Sequence, residues 1–163
     1  MSGTRDPHWG ALALLTTATA LTAGIGAYAS IDAKTFYASL TQPAWAPPAT
    51  VFGPVWTVLY LMMLVAAWLV VRQQSTAASR PAMTLFGAQL VLNAAWTWFF
   101  FHWHVGALAF AEVLVLLTAV ALTVRAFWRV RPVSGWLMLP YLAWVGFASA
   151  LTFAMWRLNP GVL

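Results

Sequence analysis

Residues 81–111, PAMTLFGAQLVLNAAWTWFFFHWHVGALAFA, contain no Asp, Glu, Lys or Arg. One transmembrane helix takes about 20 mostly apolar residues, so this run is too long for a single span. The triplet His102-Trp103-His104 divides it into a span over 81–101, a tight turn, and a span starting near 105 that passes Glu112 and ends near 124. Charges punctuate the rest of the chain in the same way. A span over 9–29 fits between Asp6 and Asp32, one over 54–71 fits before Arg72, and one over 133–156 fits between Arg131 and Arg157. The expected fold class is an all-α membrane protein: one domain over 1–163, built as a bundle of five transmembrane helices.

Composition excludes the soluble alternatives. The chain is 63% hydrophobic and 7% charged, with a mean hydropathy of +0.80, whereas soluble domains carry about 25% charged residues. Eight basic and three acidic side chains cannot coat a globule of 163 residues. The absence of Cys excludes disulfides, thiolate nucleophiles and Cys-ligated metals. The net charge of +5 would suggest nucleic acid in a soluble protein. Here the cations sit in short connections, where they serve as orientation signals and headgroup contacts, so no nucleic-acid partner is expected. Arg5, Arg72, Arg80, Arg125, Arg129 and Arg131 fall on one side of the bundle, and Lys34 and Arg157 on the other. The positive-inside rule then places the N-terminus in the cytoplasm. Ala27-Tyr28-Ala29 reads like a signal-peptidase site, but the preceding apolar run exceeds the roughly 7–15 residues of a signal core, and Asp6 offsets Arg5. The segment is therefore read as a retained span.

One long connection stands out, Ser30 to Gly53, expected to be irregular. Loops of this length inside a compact fold are usually functional. Its aromatics Phe36, Tyr37, Trp45 and Phe52 argue against a solvated linker, and Pro43, Pro47 and Pro48 stiffen it. The economical reading is a lid over the bundle mouth. No internal repeat is visible, and an odd number of spans argues against the paired-repeat plan of secondary transporters.

Four motifs in order carry a resemblance: Tyr37-Ala-Ser-Leu-Thr-Gln-Pro43-Ala-Trp45-Ala-Pro47-Pro48 with Pro54-Val-Trp56-Thr-Val-Leu-Tyr60; Gln89-Leu-Val-Leu-Asn93-Ala-Ala-Trp96; Pro140-Tyr141-Leu-Ala-Trp144; and Trp156-Arg157-Leu-Asn159. From about Gly24 to Asn159 the chain resembles the TspO/MBR family, the tryptophan-rich sensory proteins of bacteria and the mitochondrial translocator proteins. The resemblance implies a five-helix bundle in a bacterial cell membrane, usually a homodimer, with a pocket under the first loop. It implies a porphyrin, haem or benzodiazepine-type ligand, no required cofactor, and a role as sensor, carrier or regulator of tetrapyrrole metabolism. It places ligand contacts at Ala27, Trp56, Asn93, Trp144, Ala148 and Leu151. Phe153 and Thr152 stand where the mammalian cholesterol-recognition segment has Tyr and, commonly, Asn, so cholesterol is not expected. Thr50 stands where many relatives carry another Trp.

Helical spacing extends this set. Trp56 and Tyr60 are i, i+4 and share a face; Asn93, Trp96 and Phe100 form a stripe, as do Trp144, Ala148 and Leu151. Aromatic stripes are usually core, but an amide inside a span costs free energy unless it finds a partner. Asn93 among tryptophans suits a polar ligand group, and Trp45 joins the set from the lid. Glu112 lies roughly 10 Å into the membrane, where a carboxyl is either functional or paired with a neighbouring helix. No second carboxylate supports paired acid/base catalysis. His102 and His104 lack the further ligands of a metal site, so no metal is expected. Small residues on the first span (Ala20, Gly24, Ala23, Ala27) and the fifth (Gly146, Ala150) permit close helix approach. Two other function classes stay open: a light-dependent porphyrin-degrading enzyme using Trp56 and Trp144, and a structural protein that modulates a partner.

Overall fold

The computed structural model describes residues 7–73 and 77–163. Arg5 and Asp6, used above for orientation and for the signal-peptide reading, lie outside the described residues. Among the described residues, five helices are long and apolar enough to cross a membrane. They belong to α1 (Pro7–Ala29), α3 (Phe52–Val71), α4 (Ser79–Thr97), α5 (Gly106–Val130) and α6 (Pro132–Leu158). The helices close into a ring in the order α1, α3, α6, α5, α4, so α1 packs on α3 and α4.

Three boundaries differ from expectation. α5 runs to Val130 rather than 124, because Arg125 and Arg129 prolong the helix beyond its apolar stretch and can reach headgroups along their own stems. α4 does not stay α-helical to 101. It changes at Trp98–His102 into a π turn, closed by the Trp103 N–H donating to the Trp98 carbonyl at 2.9 Å. The Ser30–Gly53 connection is not irregular throughout. It contains a short helix, α2 (Ala33–Ser39), and a 3-10 turn at Ala49–Val51. α2 spans only seven residues, too short for helical periodicity to stand out in the sequence.

Close helix approach occurs elsewhere than expected. A Cβ on Gly24 would meet nothing within 4 Å, and one on Gly146 only Leu117 at 4.0 Å. The tight contacts lie at the two ends of the antiparallel α5–α6 pair. A Cβ on Gly106 would stand 2.7 Å from Trp156 Cδ1, and one on Gly135 would stand 2.6 Å from Trp128 Cε3. In each case an indole of one helix covers a glycine of the other. Between them lies a close-packed core containing Ala109, Val113, Val120, Met138, Tyr141 and Met155, each at most 1% exposed.

Candidate functional site

The opposite side of the ring is hollow. A cavity of about 710 Å³ lies between α1, α2, α3 and α4, within the roughly 300–1,000 Å³ usual for small-molecule sites. α1 lines it with residues that occupy little volume, Thr16, Thr19, Ala20, Ala23, Gly26 and Ala27, so the small residues of this helix make room rather than contact. α3 contributes Trp56, Tyr60 and Leu64; α4 contributes Asn93, Trp96, Thr97 and, within the π turn, Phe101. Lys34 and Tyr37 of α2, with Ala49, Thr50 and Phe52, line it from the connecting segment. Thr50 is thus part of the wall.

The site residues expected from sequence divide into two groups. Ala27, Trp56, Tyr60, Asn93 and Trp96 line the large cavity. Phe100, Trp144, Ala148 and Leu151 line a separate cleft of about 20 Å³, to which Trp56 and Trp96 also contribute a wall. That space holds about one water molecule. Trp144 packs edge-on to Phe52, centroids 6.0 Å apart, and lies 5.3 Å from Phe147. Trp56 and Trp144 therefore do not face one another across the large cavity. Trp45 lines neither space; it is half exposed and rests edge-on against Phe147 at 5.8 Å. Trp56 and Tyr60 do share a face, at 5.6 Å, and Trp96 stacks on Phe100 at 5.9 Å.

Asn93 finds partners within the chain. The Tyr60 hydroxyl donates to Asn93 Oδ1 at 2.6 Å, and Asn93 Nδ2 donates to the Tyr141 hydroxyl at 3.1 Å. Tyr141 in turn donates to Gln89 Oε1 at 2.9 Å. This chain joins α3, α4 and α6 and holds Tyr60 against the cavity wall. Each member has at least one partner, the condition under which a buried polar network rigidifies rather than destabilises. Gln89 and Tyr141 belong to two of the sequence motifs, but their role in this chain of bonds shows only in the folded bundle. Two polar atoms on cavity residues remain unpartnered: Thr19 Oγ1 and Trp96 Nε1.

The 30–53 connection is fastened to the bundle by side chains. Asn159, just past α6, accepts from the Thr41 N–H at 2.8 Å and donates to the Thr41 carbonyl at 3.0 Å. Tyr37 is buried, and its hydroxyl donates to the Pro47 carbonyl at 2.9 Å. Burial raises the pKa of its phenol, which keeps that donor protonated. Phe36 stacks on His104 at 3.9 Å, docking α2 on the turn after α4. His104 occupies the left-handed region at φ 56°, which a non-glycine residue adopts mainly in turns. His102 packs edge-on to Trp98 at 4.5 Å, and no group of three metal-ligating side chains occurs among the described residues. Glu112 is buried, lines neither space, and neither carboxyl oxygen has a hydrogen-bond partner.

The TspO/MBR family model matches residues 11–157. The chain belongs to the TspO/MBR family. It is 36% identical to the tryptophan-rich protein TspO of Chlorobaculum tepidum over 78% of this chain and 82% of that one. Identity to the human translocator protein is 37%, over 77% and 76% of the two chains. For the tryptophan-rich sensory protein of Cereibacter sphaeroides it is 39%, over 76% and 77%. Membership together with the five apolar helices makes this a multi-pass integral membrane protein of the TspO/translocator type. In TspO/MBR terms the four motifs sort by location. The Trp56–Tyr60 and Asn93–Trp96 motifs build the cavity wall, Tyr141 braces it from behind, and the Asn159 motif ties down the connection above it.

Proposed function

We propose that the α1–α3–α4 cavity takes a flat conjugated tetrapyrrole, a porphyrin such as protoporphyrin IX or haem, and that the protein acts as its sensor or carrier in a bacterial cell membrane. Benzodiazepine-type ligands, aromatic and largely apolar, suit the same walls. The observation that carries this reading is the cavity itself: about 710 Å³ with Trp56, Tyr60, Trp96 and Phe101 on its walls. Indole and phenol rings stack on conjugated faces, adding about 0.5–1.5 kcal/mol per pair beyond area burial. The names of the bacterial and human relatives, a sensory protein and a translocator, are compatible with it. Titration of the purified protein with protoporphyrin IX, followed by tryptophan fluorescence, should give saturable quenching. Quenching that never saturates, or that persists when Ala23→Trp fills the cavity, removes the basis of the proposal.

Within the same reading the 30–53 connection is the lid of the cavity, and Asn159 is its catch. Asn159→Ala should speed ligand dissociation several-fold in stopped-flow displacement while the bundle stays folded; an unchanged rate sinks the lid. The proposed N-terminus lies in the cytoplasm, which accessibility of an N-terminal tag in sealed vesicles checks. A homodimer is the proposed assembly, read by mass measurement in detergent.

A further inference from the structure

The cavity is long and electrically lopsided. Along α3 its wall runs from Phe52 to Leu64, about 18 Å at ~1.5 Å per residue. At the far end stand Leu61, Leu64, Ala20, Thr19 and Thr16, none of them charged. At the α2 end stand Ser30, Thr50, Tyr37 and Lys34, and Lys34 is the one charged residue on the wall. Among the described residues it has no ion-pair or hydrogen-bond partner. Asp32, two positions earlier, does not line the cavity and leaves this ammonium unneutralised.

We infer that Lys34 anchors an acid group of the ligand. The occupant is then an amphiphile whose carboxylate sits at the α2 end and whose apolar body runs down between α1 and α3. The inference rests on the tetrapyrrole reading and sharpens it. A porphyrin bearing propionates meets the requirement, whereas an equally flat but uncharged molecule gains nothing from Lys34. A strongly hydrated ammonium on a flexible stem suits this task, since it can follow a carboxylate at the boundary between water and hydrocarbon. The attraction works at the mouth, where salt screens it, so it selects among ligands more than it supplies total affinity.

Protoporphyrin IX and its dimethyl ester share one ring and differ in charge, which makes them the probes. Both are titrated against wild type, Lys34→Gln and Lys34→Glu in nanodiscs of zwitterionic lipid. Comparing the acid-to-ester affinity ratio across the variants cancels the difference in lipid partitioning between the two probes. Relative to wild type, Lys34→Gln should lower that ratio roughly twofold to fivefold, Lys34→Glu should lower it further, and ester affinity should stay constant throughout. The wild-type ratio should also shrink as salt rises. A ratio identical in wild type and Lys34→Gln overturns the anchor and leaves porphyrin binding standing. Failure of both probes to bind wild type saturably overturns the underlying functional reading and the anchor with it.

Discussion

Where α5 meets α6, glycine admits tryptophan; where α1 faces α3 and α4, alanine and glycine leave a space. Gly106 and Gly135 lie under Trp156 and Trp128, and no side chain fits at either glycine without displacing an indole. Ala20, Ala23 and Ala27, only a methyl larger, border about 710 Å³ of cavity. Lipid is as apolar as leucine, so helices in a membrane associate through close packing and polar contacts rather than hydrophobic expulsion. The α5–α6 half uses that source of stability fully. The α1 half forgoes part of it, leaving volume for a ligand. A membrane bundle can thus divide holding and binding between its two sides.

The strongest way to break this comparison is to add volume to both halves. Gly135→Leu should destabilise the bundle by about 1–3 kcal/mol or more through overpacking, read as a lower melting temperature in detergent, while Ala20→Leu, on the cavity wall, should leave melting unchanged. Equal effects would erase the distinction between the halves. Next in size is Asn93→Ala, which strands the Tyr60 hydroxyl, takes from Tyr141 its donor while leaving its bond to Gln89, and should cost about 1–3 kcal/mol; Tyr60→Phe removes a single bond and should cost less. Ala23→Trp should reduce porphyrin affinity more than tenfold, about 1.4 kcal/mol, without lowering the melting temperature, because it fills a void instead of splitting a contact. The smallest effect separates two indoles. Trp56→Phe keeps a ring on the wall and should weaken binding by no more than about tenfold, while Trp144→Phe, which lines only the small cleft, should leave affinity unchanged. Illumination of the loaded protein under air sharpens the same pair. Porphyrin loss faster than that of free porphyrin, abolished in Trp56→Phe alone, is the signature expected of a degrading enzyme.

The spans were legible because membrane burial forbids charge over about 20 residues, and the few charges present mark nearly every boundary. The division of labour was not. Small residues on α1 read as a packing face, since a sequence records side-chain volume but not what occupies the space beyond it. Trp56 and Trp144 look alike as indoles on helical stripes, yet only one reaches the large cavity, because Phe52 and Phe147 surround the other. For Asn93 the physical demand was read correctly, that a buried amide needs partners. Those partners proved to be Tyr60 and Tyr141, which lie far from it in sequence and come near it only in the folded ring. α2 escaped notice because a helix of seven residues completes too few turns to display a period.

The π turn at Trp98–His102 bears on how this family's walls can diversify. Such a turn accommodates one residue more than a regular helix. Deleting that residue would restore α-helical geometry and rotate everything after it by ~100° relative to everything before it. Asn93 and Trp96 would keep their places. Phe101 would leave the wall, and His104 would lose the ring of Phe36 on which α2 rests. A single codon gained or lost here therefore changes both the lining of the chamber and the mooring of the segment above it. A point substitution would alter one and spare the other.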